Sequence, residues 1–416
     1  MTLSEELTWR GFVNQMTFKN ITELDDESRT LYFGVDPSAD SMQIGNLAAA
    51  MMVRCFLDHG YKVILLVGGA TGLIGDPDGK TEERELKSLE VVAKNKAGIA
   101  AEYKTVFAGK DFELVDNYDW FKGLGYLEFL RDIGKHVPMR QMLGREFVQS
   151  RLSEDGAGIS YAEFSYALIQ GYDFLHLYRE KGATLQISGA DQWGNCIAGV
   201  ELIRRVTAGE AHVYSMPLVI NKATGKKFGK TEGGAIWLNE KKTSIYQFYQ
   251  FWLNADDEGV EYYIKIYTLL SPDEVEKVMH EFKQNPGGRA AQKRLAYEVT
   301  KTVHGKERAD AIKRVSETLF GGDSYKDLGE SEFVLLANEL PVVQAKHDET
   351  QLVVAIVEAG LANSNTEARR FLESNAVYVN GEQIPLSKTH FGPEDDINGH
   401  AVLRIGKNKN ALVKFN

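Results

Sequence analysis

Three lysines surround a glycine in the segment KKFGKT at residues 226–231. Lys226, Lys227 and Lys230 would place clustered ammonium groups on a loop that Gly229 allows to bend. Such groups stabilise the negative charge that develops on a pyrophosphate during its transfer. The segment alone is also typical of a solvated basic turn, so its interpretation depends on the motifs that accompany it.

A second segment provides a place for phosphate. The strand-like run LYFGVD (31–36) is followed by DPSADSMQIGN, in which QIGN (43–46) opens a helix. Backbone N–H groups and the helix dipole favour an anion at such an N-terminus, which Asp40 or Ser41 would cap. GADQWGN (189–195) lies between this segment and the lysine loop, and the order of the motifs predicts ATP chemistry.

The elements that must position these motifs form a parallel α/β sheet. Strand-like runs at 31–35 and 63–67 flank a helical stretch at 46–59, a βαβ unit that predicts a Rossmann-like, doubly wound sheet. Ligands of such sheets bind beyond the carboxyl ends of the strands. The glycine-rich turn at 68–81 has neither the spacing of a phosphate loop nor that of a dinucleotide fingerprint. We interpret it as backbone that passes close to a ligand, with Asp76 offering a carboxylate.

The length of 416 residues predicts more than one domain. We predict a catalytic nucleotide-binding domain at 1–232, with a helical insertion at about 105–160. An α-helical domain follows at 233–320. An acidic stretch with three glycines at 321–348 is typical of a linker, and a small α+β module follows at 349–416.

The net charge of −11 argues against a general nucleic-acid binder, but the charge is uneven. Residues 351–416 carry seven basic and seven acidic residues, so the acidic excess lies in the rest of the chain. No apolar run is long enough to span a bilayer, and the first residues carry acids rather than an apolar signal core. We therefore predict a cytoplasmic protein without membrane contact. Neither Cys55 nor Cys196 belongs to a metal-ligand cluster, and no protein-bound metal is expected.

These motifs resemble those of one family. YFGVDPSADSMQIGN is similar to the first-strand segment and HIGH signature of bacterial-type tyrosyl-tRNA synthetases, which are class I aminoacyl-tRNA synthetases. VGGATGLIGDP, FSYALIQGYDF, LQISGADQWGN and KKFGKTEGGAIWL resemble further blocks of that family, and KFGKT stands for its KMSKS loop. The tail LVVAIVEAGLANSNTEARRFLESNAVYVNGEQI resembles the S-four-like RNA-binding module appended to these enzymes. The resemblance covers essentially the full length.

The resemblance implies a tyrosine–tRNA ligase. Such an enzyme activates L-tyrosine with ATP to tyrosyl-adenylate and pyrophosphate, then transfers tyrosyl to the 3′ end of tRNA(Tyr). It implies a homodimer whose interface is formed by the insertion. ATP is a substrate, and Mg²⁺ would be bound through its phosphates.

The resemblance also assigns residues to roles. For tyrosine these are Tyr32 and Asp173 at the phenol hydroxyl, with Asp76, Tyr166, Gln170, Thr71, Asn117 and Gln192 around the ammonium and carboxylate groups. For ATP and the adenylate they are Gly34, Asp36, Ser38, Gly45, Gly189, Asp191 and Lys230. For catalysis they are Gln43, Asn46, Lys227, Lys230 and Thr231. From its charge, we expect the tail to bind RNA through Arg369, Arg370, Lys388, Arg404, Lys407 and Lys409.

The chain departs from the family at the HIGH signature, where Gln43 and Asn46 replace two histidines. Their amide N–H groups can take roughly the places of imidazole N–H groups, so we expect an active enzyme. One alternative is an impaired relative kept for RNA binding, which the intact Lys227 and Asp173 argue against. Another is a tryptophan enzyme, whose substrate has no hydroxyl for Tyr32 and Asp173 to recognise.

Overall fold

The computed structural model describes residues 1–26, 28–77, 86–153, 155–231, 234–321, 324–406 and 409–416. The helices are α1 Leu3–Arg10, α2 Glu23–Asp26, α3 Ile44–Asp58, α4 Gly69–Ile74, α5 Leu89–Val106, α6 Tyr118–Phe121, α7 Tyr126–Asp132, α8 Met139–Leu143, α9 Glu146–Leu152, α10 Tyr161–Lys181, α11 Trp193–Thr207, α12 Ile245–Leu253, α13 Val260–Tyr267, α14 Pro272–Gln284, α15 Ala290–His304, α16 Lys306–Ser316, α17 Glu330–Ala337, α18 Leu352–Glu358 and α19 Asn365–Glu373. The strands are β1 Thr30–Val35, β2 Lys62–Val67, β3 Glu113–Val115, β4 Ala183–Gly189, β5 His212–Met216, β6 Lys230–Thr231, β7 Gly234–Ala235, β8 Val342–Ala345, β9 Val377–Val379, β10 Glu382–Gln383, β11 His400–Ile405 and β12 Lys409–Phe415. In this part of the chain, no helix is both long and apolar enough to cross a membrane.

The described residues form two compact units, of which the first comprises 1–242 and 254–295. Among these residues a five-stranded sheet has the order β3-β2-β1-β4-β5, with every pair parallel. Five of the six residues of β2 are buried, as expected for a strand covered on both faces. This sheet confirms the predicted Rossmann-like fold.

The strand order reverses at β1, which has β2 on one side and β4 on the other. In open α/β sheets such a switch point leaves a crevice beyond the carboxyl ends of the strands, where ligands bind. Tyr32 of β1 lies opposite Gln186 of β4 in the register of these two strands. The fold therefore places the motif after β1 and the motif after β4 on opposite sides of one crevice.

The predicted insertion at 105–160 contains more than helices. Its residues Glu113–Val115 form β3, which pairs with β2 at the edge of the parallel sheet. A strand of three residues is too short to show an alternating pattern in the sequence, and only the pairing with β2 defines it.

The second unit comprises 243–253 and 296–416. Its described residues contain a five-stranded sheet with the order β10-β9-β11-β12-β8. The β9–β10 turn has positive φ at Asn380 (49°) and Gly381 (81°), as is typical of an Asn-Gly hairpin turn. The core of the sheet includes Leu352, Phe391 and Leu403, which are fully buried.

The prediction of a linker at 321–348 is wrong for most of that segment. It contains α17, and it contains β8, which pairs in parallel with β12. Glu332 of α17 is 2% exposed and accepts a hydrogen bond from Arg314 Nε at 2.7 Å. The acidic composition that indicated a linker thus includes a buried ion-pair partner. The predicted helical domain at 233–320 is likewise divided between the two units.

Candidate active site

A buried polar pocket lies where α10 packs on β1 and β4. Tyr32 of β1 is 1% exposed, and Asp173 of α10 is 2% exposed. Asp173 accepts hydrogen bonds from Asn117 Nδ2 at 3.0 Å and from Trp120 Nε1 at 2.9 Å. Burial raises the pKa of Tyr32 well above its usual value, and the nearby charge of Asp173 raises it further. The structure thus brings together the two residues assigned to the phenol hydroxyl.

The protonation of Asp173 is set by its surroundings. Burial raises the pKa of this carboxyl to about 8, although the hydrogen bonds from Asn117 and Trp120 act in the opposite direction. The charge of Asp36 adds to the increase. The carboxyl therefore binds its proton up to a higher pH than an exposed aspartate does.

Buried polar atoms of the pocket lack partners. Gln170 Oε1 and Gln186 Oε1 have no hydrogen-bond partner among the residues that the structure describes, and Tyr32 Oη lies beside the Gln186 amide. Buried polar groups are almost always hydrogen-bonded in folded proteins, and each unsatisfied one has a cost. A site that is preorganised for a polar ligand has such unsatisfied polar atoms on neighbouring elements.

An acidic region adjoins this pocket. Tyr166 Oη donates to Asp36 Oδ2 at 2.7 Å, and Gln192 Nε2 donates to Asp76 Oδ2. Burial raises the pKa of Tyr166, and the charges of Asp36 and then Asp76 raise it further. Asn195 Nδ2 holds Gln192 by donating to its Oε1 at 3.1 Å. Two carboxylates in one partly buried region favour a cationic group such as an ammonium.

Asn117, which the resemblance implies to lie near the ammonium group together with Thr71, contacts both the glycine-rich turn and Asp173. Its Oδ1 accepts from the backbone N–H of Ala70 at 2.7 Å. Its Nδ2 lies 3.1 Å from Thr71 Oγ1 and 3.0 Å from Asp173 Oδ2. Asn117 therefore connects the glycine-rich turn to the carboxyl at the phenol end of the pocket.

The first turn of α3 is open on the side of Gly45. Gln43 is the N-cap residue, and Asn46 Oδ1 accepts from the Gln43 backbone N–H at 3.0 Å. This bond uses the acceptor end of the Asn46 amide, so Nδ2 is its remaining hydrogen-bonding group. A Cβ added at Gly45 would meet no atom within 4 Å. The first turn of α3 is thus accessible to an anion.

The expectation that Asp40 or Ser41 caps α3 is wrong. Asp40 forms an ion pair with Lys242, and Ser41 Oγ donates to Glu102 Oε1 at 2.7 Å. Both side chains act on neighbouring segments instead of on the first turn of the helix.

The remaining nucleotide residues lie after β1 and β4. Ser38 donates its backbone N–H to the Asp36 carbonyl at 2.8 Å, in the turn that follows β1. Gly34 is exposed near the end of β1, and Gly189 is the last residue of β4. A Cβ at Gly189 would lie 2.6 Å from Asp191 Oδ1, so only glycine leaves that carboxylate its position.

The lysine loop is anchored at its centre. Phe228 is 6% exposed and stacks on Tyr263 with ring centroids 4.2 Å apart, whereas Lys227 is exposed. Gly229 has φ of +96°, and a Cβ there would lie 3.2 Å from Ile44 Cβ. The loop therefore rests directly on the first residue of α3. Lys230 and Thr231 form β6, and their side chains lie outside the described part of the structure.

Sequence reasoning missed several residues of the site. Trp120 donates to Asp173 and stacks on His176 with centroids 4.4 Å apart. Gln186 is 2% exposed beside Tyr32. The sequence signal for Gln186 was a glutamine within the apolar strand LQISG. A polar side chain in a central strand must have a polar partner or a ligand. Nothing in the sequence distinguished Trp120 from a core aromatic residue.

The basic residues of the tail differ in exposure. Lys388 donates to Glu394 at 2.6 Å and to Asp395 at 2.7 Å, and Arg404 stacks over Tyr378 at 4.2 Å. Both cations thus have internal partners, which counts against their predicted role in binding RNA. The exposed predicted cations are Arg369, Arg370 and Lys409, and Lys407 lies outside the described residues.

Comparison with known proteins identifies the family. The model of the class I tRNA synthetases for tryptophan and tyrosine matches residues 24–321, and that of the tyrosine–tRNA ligase SYY-like C-terminal domain matches residues 332–413. A curated tyrosine–tRNA ligase from Geobacillus kaustophilus (strain HTA426) is 45% identical, and one from Bacillus caldotenax is 44% identical. Each alignment covers 100% of both chains.

Solved structures share the fold. A C-terminally truncated mitochondrial tyrosyl-tRNA synthetase from Aspergillus nidulans has 31% sequence identity and a TM-score of 0.69, covering 77% of this chain and 94% of that one. A tryptophanyl-tRNA synthetase from Encephalitozoon cuniculi has a TM-score of 0.54 at 12% identity, covering 80% of this chain and 91% of that one. At that identity the second likeness shows the fold alone.

The parallel sheet, its switch-point crevice and these matches define a class I aminoacyl-tRNA synthetase. The chain belongs to the tyrosine–tRNA ligases of that class. It is accordingly an enzyme that ligates tyrosine to tRNA, with ATP as a substrate. The predicted function is confirmed.

Proposed function

We propose that the pocket between α10, β1 and β4 binds tyrosine with its phenol hydroxyl between Tyr32 and Asp173. The buried Tyr32 Oη beside Asp173 carries this proposal, because both groups can hydrogen-bond to a ligand hydroxyl. The ammonium group would lie in the acidic region beside Asp76 and Tyr166, with Gln170 Oε1 and Gln192 near the amino-acid backbone. Asn117 and Thr71 then support Asp173 and the glycine-rich turn.

ATP would bind across the crevice. Its phosphates meet the N-terminus of α3, where Gly45 leaves room and the amides of Gln43 and Asn46 donate. The adenosine lies between the turn with Gly34, Asp36 and Ser38 and the turn with Gly189 and Asp191. Mg²⁺ would be bound through the phosphates.

The chemistry requires positioning and charge stabilisation. The tyrosine carboxylate attacks the α-phosphate and pyrophosphate leaves, so no covalent enzyme intermediate and no general base are needed. Exposed Lys227, with Lys230 and Thr231 of the same loop, would stabilise the charge that develops on the pyrophosphate. Tyrosyl then passes from the adenylate to the 3′ end of tRNA(Tyr). Its tRNA and ATP substrates are cytoplasmic, and we propose the same location for the enzyme.

Amino-acid-dependent ATP–pyrophosphate exchange tests this assignment. We expect exchange with tyrosine and strong discrimination against phenylalanine, because phenylalanine has no hydroxyl to hydrogen-bond with Tyr32 and Asp173. Discrimination of about 10⁵-fold is the established figure for tyrosyl-tRNA synthetases as a class. Asp173→Ala should abolish tyrosine use. Comparable exchange with tryptophan or phenylalanine, or full activity of Asp173→Ala, would place the phenol site elsewhere.

We further propose that the enzyme is a homodimer. Large apolar side chains are unusually exposed in the part of the insertion that the structure describes. These are Tyr126 (61%), Leu127 (78%), Met139 (56%), Leu143 (38%), Leu152 (53%) and Tyr161 (62%). The hydroxyls of Tyr126 and Tyr161 lie 3.4 Å apart, so the two ends of the segment contribute to one surface. A second copy of this chain would cover it.

Sedimentation of Leu127→Asp tests the dimer. A charge on this surface should shift the protein from dimer to monomer, whereas Leu386→Asp, at a side chain that is 61% exposed in the second unit, should not. A monomeric wild-type protein, or a Leu127→Asp variant that remains dimeric, would reject this interface.

A further inference from the structure

A face of α5 contacts the turn between β1 and α3 along most of that turn. Asn95 Nδ2 donates to the Pro37 carbonyl at 2.9 Å. A Cβ at Gly98 would overlap the Asp40 carbonyl oxygen, so the helix and the turn meet without a side chain between them. Glu102 lies further along the same face, since positions i, i+3 and i+7 share one side of a helix. The α5 helix therefore braces the turn that carries the phosphate site.

Glu102 makes the two shortest hydrogen bonds between this face of α5 and the turn. Its Oε1 accepts from Ser41 Oγ at 2.7 Å, and its Oε2 accepts from the Met42 backbone N–H at 2.6 Å. Hydrogen bonds to a carboxylate are stronger than those between neutral groups. Because each carboxylate oxygen accepts one bond, the two bonds fix both the orientation and the distance of the bound segment. Glu102 thus sets the position of the two residues that precede Gln43.

The same residues bind the segment that follows the lysine loop. Ser41 Oγ also accepts the backbone N–H of Asn239 at 3.1 Å. The Leu238 N–H donates to the Met42 carbonyl at 2.9 Å, and the Ile44 N–H donates to the Ile236 carbonyl at 3.3 Å. These bonds pair the entry to α3 with residues 236–239 in an antiparallel arrangement.

This pairing continues to the centre of the lysine loop. The Ile236 N–H donates to the Gly229 carbonyl at 3.2 Å, and Gly229 rests on Ile44. A continuous set of hydrogen bonds therefore leads from Glu102 through Ser41 and Met42 to Gly229. Glu102 thus binds the segment to which residues 236–239 are hydrogen-bonded.

We propose that Glu102 is a positioning residue for tyrosine activation, which holds the N-terminus of α3 and the lysine loop in register around the pyrophosphate. Its effect falls on the ATP half of the site, because its hydrogen bonds to Ser41 and Met42 lie on the α3 side of the crevice. The inference rests on the proposed role of the lysine loop in activation.

The test replaces Glu102 by Gln, which keeps the size of the side chain but turns one acceptor into a donor. One of the Ser41 and Met42 donors is then left unpaired, so kcat for exchange should fall about tenfold while the Kd for tyrosine stays unchanged. Ser41→Ala is a smaller change, and it should likewise lower kcat while the Kd for tyrosine stays unchanged. Glu90→Gln makes the same chemical change at an exposed position of α5 and should have no effect.

A double-mutant cycle with Lys227→Ala tests the connection to the loop. If Glu102 acts through the loop, Glu102→Gln should lower kcat much less in the Lys227→Ala background than in the wild-type enzyme. Additive effects, an equal loss of tyrosine affinity, or unchanged exchange in both Glu102→Gln and Ser41→Ala would overturn the proposal. Failure of Lys227→Ala alone to lower kcat would instead reject the proposed role of the loop.

Discussion

Asp173, which we propose to recognise the phenol hydroxyl, carries a cost in folding stability. The pKa of its carboxyl is about 8 in the folded protein, whereas an unperturbed aspartate, as in the unfolded chain, has a pKa of 3.8. The folded protein therefore binds this proton more tightly than the unfolded chain. Between these values, folding stability falls as pH rises, because ionisation is opposed only in the folded state. Asp173→Asn removes this cost. Its free energy of unfolding relative to wild type should therefore increase by up to about 3 kcal/mol from pH 5 to pH 7.

Denaturant unfolding at several pH values measures this difference, while exchange should show loss of tyrosine use. Asp119→Asn is a suitable control, because Lys122 lowers the pKa of that exposed carboxyl and both states are ionised above pH 5. A pH-independent difference for Asp173→Asn would mean that the buried carboxyl is not protonated in the neutral range.

At the scale of elements, the site depends on contact between the lysine loop and α3. Gly229 has φ of +96° and lies against Ile44, so alanine would both strain the backbone and push the loop away. Gly229→Ala should lower kcat for exchange by about tenfold or more, with little change in the Kd for tyrosine. Steady-state exchange and equilibrium binding of tyrosine separate the two quantities.

Gly225→Ala is the matched control for Gly229→Ala. Gly225 lies in the same loop with φ of +69°, but a Cβ there meets no atom within 4 Å. The Gly225→Ala variant introduces the backbone strain without a contact to α3. Its kcat should therefore be retained. Equal losses in the two variants would indicate that loop conformation alone, and not the position of the loop against α3, determines the rate.

At the scale of the whole molecule, the tail is neutral, whereas the rest of the chain carries the acidic excess. Arg369 and Arg370 are exposed on α19, so we propose that they bind the tRNA backbone. The double variant with Arg369→Gln and Arg370→Gln should weaken tRNA binding. The slope of log affinity against log salt concentration should fall by the amount expected for the loss of up to about two phosphate contacts. Tyrosine-dependent exchange should be unchanged, because it does not require tRNA. Binding titrations at several salt concentrations measure the slope.

The control for this pair is Lys277→Gln with Lys283→Gln, which removes two exposed charges from α14 in the first unit. Its tRNA affinity should remain close to that of the wild type. If both double variants lose affinity equally, only net charge matters and α19 is not an RNA surface.

Local features of this protein were predictable because neighbouring residues determine them. The strands predicted at 31–35 and 63–67 are present as β1 and β2, each one residue longer at its start. The Asn380–Gly381 turn follows from the preference of these two residues for positive φ. The motifs also identified the family, since their order along the chain is itself specific.

The sequence by itself determined the helices and strands of the βαβ unit, the site motifs and the reaction, whereas tertiary structure decided which side chains are buried and with what partners. Lys388 and Arg404 were predicted from the charge of the tail to bind RNA, and in the structure they contact Asp395 and Tyr378. Trp120 resembled a core residue, but it donates to a carboxyl from a distant part of the chain. Burial and pairing depend on residues that only folding brings together, whereas backbone preference is encoded locally, and this difference separates what was predicted from what was not.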